Sequence, residues 1–157
     1  MKKPNRKSAP RRDSVDLGWL QSSVTFHLRS AQDKSFRTMT RRTQAKPWRS
    51  GVFSILVVIQ QNPGINQTQL SSAIGRDKSS LTDTLLALDE EGLVTRVRTS
   101  SDRRSNGLSL TASGEALLRK LWPGAKSHEA TLRRVLGPKD SGHFVKLLQR
   151  IIQRLPR

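Results

Sequence analysis

The sequence predicts a mainly α-helical chain carrying one small β-hairpin. Apolar residues recur at three- and four-residue steps along most of it, the period of amphipathic helices. Residues 93–98 and 108–110 alternate instead with a period near two. Directly before that alternation, two short helical stretches flank a tight turn containing Gly75, a helix-turn-helix pattern. A hairpin in that place is a wing, so the predicted class is a winged helix-turn-helix. At 157 residues the chain has room for one compact domain and a tail, and not comfortably for two.

Residues 1–13 open the chain as a basic arm, with Lys2, Lys3, Arg6, Lys7, Arg11 and Arg12 interspersed with Pro4 and Pro10. Self-repulsion and poor burial predict disorder there, either as a solvated leader or as an arm tracking DNA phosphates. From Ser14 to Thr43, Leu17, Leu20, Val24, Leu28, Ala31 and Met39 fit one long helix, and residues 14–45 are expected to form an N-terminal dimerisation helix. Lys46-Pro47 interrupts it. Val52, Phe53, Leu56, Val57 and Ile59 then mark a second, buried helix that Asn62-Pro63-Gly64 stops.

Asn66 and Gln69 have capping-box spacing, and Ile65 and Leu70 can close over them as a hydrophobic staple, so a short helix starts here and ends near Gly75. Asp77 caps the next helix, whose Leu81, Leu85 and Leu88 form one stripe. After Gly92 the two alternating segments enclose a long basic loop rich in turn formers. Thr111 caps a long helix with Leu118, Leu121, Ala125, Leu132 and Val135, and a bend is expected at Pro123. Gly137-Pro138 ends it, and Phe144, Leu147, Leu148, Ile151 and Leu155 mark a last helix. The DNA-binding winged region thus spans 46–112 and the C-terminal dimerisation helices 113–157. Such long apolar stripes exceed what a small core can cover, which predicts a homodimer through the N- and C-terminal helices. The alternative is that these helices fold back over their own core.

Lys and Arg number 29 against 12 Asp and Glu, a formal charge of +17 that points to nucleic acid, an anionic ligand or a membrane surface. The surplus is uneven: thirteen basic and three acidic groups lie in residues 1–50, six of each in 51–112, and ten and three in 113–157. The longest aliphatic run, residues 55–59, falls far short of the roughly 20 residues that span a bilayer. The basic N-terminus lacks an apolar segment and the chain has no Cys, so a cytoplasmic protein without a membrane partner is expected. His27, His128 and His143 lack metal-ligand spacing, no acidic pair marks a cleft, and no Gly-x-Gly-x-x-Gly occurs. Gly124-Ala125-Lys126-Ser127 looks like the end of a phosphate-binding loop but lacks the upstream Gly and strand. Neither enzymatic activity nor a metal or cofactor is expected.

With the Leu81-Leu85-Leu88 stripe inward and about 100° per residue, Ser79 and Asp83 point away from the core, flanked by Ser80, Thr82 and Ala87. The hydroxyls can meet base edges or phosphates, or at Ser79 and Ser80 simply satisfy first-turn N–H groups; Asp83 can accept from a cytosine amino group. Arg76 and Lys78, at the mouth of the helix, suit phosphates, as do Arg96 and Arg98 on one face of a strand.

In their order and spacing, Leu70, Ala73, Ser79-Ser80-Leu81-Thr82, Leu88, Gly92-Leu93-Val94, Arg96, Asp102-Arg103-Arg104, Leu110-Thr111 and Gly114 resemble the multiple antibiotic resistance regulators (MarR), dimeric winged-helix transcription factors. The dense matches lie within residues 51–118. This resemblance implies a regulator, a repressor rather than an activator, that holds a pseudo-palindromic operator in double-stranded DNA and lets go when a small aromatic compound binds. It also implies that Arg104 of the wing enters the minor groove, steered by Asp102, with Arg103 on a phosphate. The reverse order of the two arginines stays open, as does a plain ion pair stapling the hairpin.

Trp19, Phe26, His27, Trp48 and Phe53 are candidate lining for the effector pocket, although residues of these types are more often core. Arg29, Lys34, Arg37, Arg41 and Arg42 can meet the phosphates of an aromatic acyl-coenzyme A, or remain solvated helix charge. Thiol oxidation is not available to a chain without Cys. The contrasting reading is a nonspecific architectural DNA-binding protein.

Overall fold

The computed structural model describes residues 15–43, 51–98 and 106–156, apart from the side chains of 40–43, 97, 98 and 106. The basic arm, Trp48 and the wing residues Asp102, Arg103 and Arg104 lie outside the described residues. The chain divides into two units between Ser35 and Phe36.

In the first unit the expected single helix from Ser14 is two elements. A 3-10 turn covers Gly18–Ser22, and α1 (Val24–Thr43), which continues into the second unit, begins only after Ser23 adopts an extended conformation, φ −73° and ψ 117°. The apolar spacing is helical, but the local polar chemistry wins. Asp16 accepts the Gly18 N–H at 2.8 Å, and Ser23 Oγ accepts the Phe26 N–H at 3.3 Å, so Ser23 starts a helix instead of continuing one.

The second unit builds the core. α2 (Val52–Gln61) buries Val52, Ile55, Leu56 and Ile59, as its apolar run demands. α3 (Gln67–Ile74) opens with the predicted capping box: Asn66 Oδ1 accepts the Gln69 N–H at 2.8 Å while Gln69 Oε1 accepts the Asn66 N–H at 3.1 Å. Gly75, at φ 66°, closes that helix in the left-handed conformation. α4 (Lys78–Glu90) turns Leu81, Leu85 and Leu88 into the same core, together with Thr84, whose hydroxyl donates to the Ser80 carbonyl.

β1 (Val94–Arg98) and β2 (Asn106–Leu110) pair antiparallel, with Val94 opposite Leu110 and Arg98 opposite Asn106. Outside the hairpin, Ile65 adds an isolated bridge to Leu108 through Gly64 N–H to Leu108 O and Leu108 N–H to Ile65 O, both 2.8 Å. The wing is thereby tied to the loop between α2 and α3. α5 (Ala112–Leu136) is capped by Thr111, whose Oγ1 accepts the Gly114 N–H at 3.0 Å, and it runs through Pro123 as one helix. Pro123 has no N–H, so the Arg119 carbonyl lacks its helical partner there. α6 (Asp140–Arg154) ends the chain's regular structure.

Candidate nucleic-acid interface

The start of α4 is a compact hydrogen-bonded node. Asp77 Oδ1 accepts the Ser80 N–H at 2.8 Å and the Ser79 hydroxyl at 2.7 Å. The Ser80 backbone bond first, then the Ser79 hydroxyl, hold the Asp77 carboxyl below the usual carboxylate range, and the Arg76 charge adds to them. Arg76 donates through Nη2 to Ser80 Oγ at 2.8 Å. Its guanidinium also covers Gly51, where a β-carbon would lie 3.2 Å from Nη1. Of the two residues expected to meet phosphates here, Arg76 is therefore engaged with its own fold, while Lys78 is exposed.

Along α4 the face opposite the leucine stripe carries Ser79 and Asp83, both exposed, with Ser80, Thr82 and Ala87 half-buried on the flanks. Thr82 donates its hydroxyl proton to the Lys78 carbonyl at 2.7 Å and accepts from Gln67 Nε2 at 2.6 Å, a bond that joins α3 to α4. Arg96 is exposed on β1; Arg98 ends that strand. Two residues on this surface were not singled out from the sequence. Gln67 is found only through its partner on another helix. Leu86, 45 % exposed, was legible: it stands seven residues after Ser79 and outside the buried stripe.

Of the expected effector residues, Phe26 and His27 meet edge to face on α1 with ring centroids 5.4 Å apart, and His27 Nε2 lies 2.8 Å from the Gln21 carbonyl. Trp19 is 76 % exposed on the 3-10 turn, and Arg29 and Arg37 are exposed on α1. Phe53 lines a cavity of about 490 Å³ in the second unit, together with Met39, Trp122, Ala125, Lys126, His128, Glu129, Ala130 and Arg133. Trp122, not among the expected effector residues, lies 5.5 Å from Phe53 between ring centroids, and Lys126 Nζ sits 5.8 Å from the centroid of the Trp122 ring. Arg133 pairs with Glu129 at 2.8 Å. The spacing of Trp122 and Lys126, one helical turn, was the available signal.

Among the described residues no group of three or more His, Asp or Glu could hold a metal ion, and no helix is long and apolar enough to cross a membrane.

Comparison with known proteins gives consistent results. Residues 50–105 match the MarR family. A putative transcriptional regulatory protein for the hcr operon of Thauera aromatica is 30 % identical over 135 residues, which is 85 % of this chain and 81 % of that protein. The transcriptional repressor CouR bound to a 23-mer DNA duplex superposes with a TM-score of 0.76 at 30 % identity, over 88 % of this chain and 98 % of that one. CouR bound to p-coumaroyl-CoA gives a TM-score of 0.79 at 28 % identity, over 90 % of this chain and all (100 %) of the other.

Proposed function

The chain belongs to the MarR family of transcriptional regulators, and from that premise we propose that it is a homodimeric repressor released from a pseudo-palindromic operator by an aromatic acyl-coenzyme A. The observation that carries the DNA half is the exposed face of α4, poised between the Gly75 turn and the wing, on a fold shared with a DNA-bound repressor at 30 % identity. In this reading Lys78, Arg96 and Arg98 serve phosphates, Ser79, Ser80, Thr82 and Asp83 face the major groove, and Asp102 steers Arg104 into the minor groove with Arg103 beside it. Residues 14–45 and 113–157 supply the dimer contacts. Half-sites then fall about one helical turn apart.

The effector half is supported by the cavity of about 490 Å³, inside the roughly 300–1,000 Å³ range of small-molecule sites. Phe53 and Trp122 offer flat apolar faces to an aryl group, and Lys126 supplies positive charge at the same cavity, whose Arg133 is paired with Glu129. The cations Arg29, Lys34 and Arg37 are proposed for the phosphates on charge alone. CouR, 28 % identical, has been seen with p-coumaroyl-CoA.

Two measurements test the reading. Competition between a selected operator and random duplex should show a preference of about a thousandfold or more, and equal binding would favour the architectural alternative. Calorimetry should show an aryl-coenzyme A thioester binding more tightly than the free aromatic acid and releasing the operator; equal binding of both removes the phosphates from the mechanism.

A further inference from the structure

We propose that the outward face of α4 reads DNA by accepting protons and by apolar contact, so that its base preferences are exocyclic amino groups and thymine methyls, not guanine edges. This rests on the operator-binding reading above. The argument comes from where the hydroxyl protons already go. Ser79 gives its proton to Asp77 and Thr82 gives its proton to the Lys78 carbonyl. Each hydroxyl has only one proton, so both oxygens are left as acceptors; Thr82 has one lone pair already taken by Gln67 Nε2 and also has its methyl group to offer.

Asp83 is exposed and makes no hydrogen bond or ion pair among the described residues. A carboxylate accepts only. Leu86, on the same stripe by its seven-residue spacing from Ser79, is 45 % exposed and purely apolar. The donors near this face are Lys78 and Ser80, about 100° to either side of Ser79, and Gln67 of α3, whose Nε2 is turned onto Thr82 Oγ1 at 2.6 Å. In the major groove, cytosine and adenine present amino donors and thymine a methyl group, whereas guanine presents only acceptors. The stripe is thus complementary to the first three and mismatched to the last. Asp83 also acts by rejection, because a carboxylate facing the groove without a donor opposite is left unpaired in a field of phosphates.

The test is selection from a randomised duplex pool with the full chain and with Asp83→Ala, Asp83→Asn and Leu86→Ala, followed by replacement of single thymines by uracil in the selected duplex. The parent should require cytosine or adenine at one position of each half-site. Asp83→Ala should relax that requirement about tenfold while binding random duplex as well as the parent or better. Asp83→Asn, which gains a donor at unchanged size, should move the preference toward adenine, and it keeps the test valid if the Ala variant folds poorly. One thymine-to-uracil change should weaken the parent about fourfold, the worth of one buried methyl, and leave Leu86→Ala indifferent. Identical base profiles for the parent and the Asp83 variants, or a uracil series without effect, overturn this proposal and leave the regulator reading intact. A parent that enriches no sequence at all overturns both.

Discussion

Gly114 sits where a β-carbon would overlap the Leu93 carbonyl oxygen, and Gly107 where one would lie 2.6 Å from the Gly64 carbonyl oxygen. Backbone cannot retreat as a flexible side-chain end can, so Gly114→Ala should cost about 1–3 kcal/mol, read as a lower urea midpoint. Gly142, inside α6 with nothing within 4 Å of its β-position, is the control. Gly142→Ala should be neutral or raise stability by about 0.5–1 kcal/mol. Asp77 gives a pH prediction whose sign follows from its lowered carboxyl. Because the folded state holds the charged form, its contribution is complete above the ordinary carboxylate range and disappears as pH falls through the lower, folded value. Urea midpoints taken from pH 7 down to pH 3 should therefore fall more steeply for the parent than for Asp77→Asn, which keeps an accepting oxygen and does not titrate there. Parallel curves would remove Asp77 from the acid response.

The hairpin and its preceding helix pair are where one element depends on another. Arg104→Ala should weaken operator binding by about 1–3 kcal/mol in a fluorescence titration at fixed salt, and unchanged affinity would move minor-groove contact elsewhere. The starts of α3, α4 and α5 were legible in the sequence because Asn66, Asp77 and Thr111 each act on the amide three residues ahead. So were the strands and the outward positions Ser79 and Asp83, which follow from period alone. The break at Ser23 was hidden because Leu17, Leu20 and Val24 keep helical spacing across it, while hydroxyl and carboxyl caps decide the backbone. The Ile65–Leu108 bridge and the Gln67–Thr82 bond join residues far apart in sequence, which no local pattern encodes. The Phe53–Trp122 cavity is of the same kind. Its aromatic wall comes from two helices, α2 and α5, whose meeting no local pattern encodes.

For the whole molecule, the charge of +17 and the uncovered apolar residues point in one direction. Val135 is 79 % exposed near the end of α5, and Ile152 is 76 % exposed on α6. Apolar residues so exposed on terminal helices call for a covering surface, which the proposed dimer provides. Ile152→Asp should shift sedimentation toward the monomer and weaken operator binding together; a variant that stays dimeric would place the interface elsewhere. Operator affinity should also fall steeply and linearly in log–log form as salt rises, since basic groups displace counterions from the duplex. How such a molecule could pass on the arrival of an effector follows from the first turn of α5. The Thr111 hydroxyl donates to the Gly92 carbonyl at 2.6 Å, the Thr111 N–H donates to the Leu93 carbonyl at 3.1 Å, and Gly114 abuts Leu93 without room to slip. The base of the hairpin is welded to that helix as a pointer is to its shaft. If the first turn of α5 shifts when the cavity beside Trp122 fills, these contacts carry the shift to the base of the hairpin, against the restraint of the Ile65–Leu108 bridge.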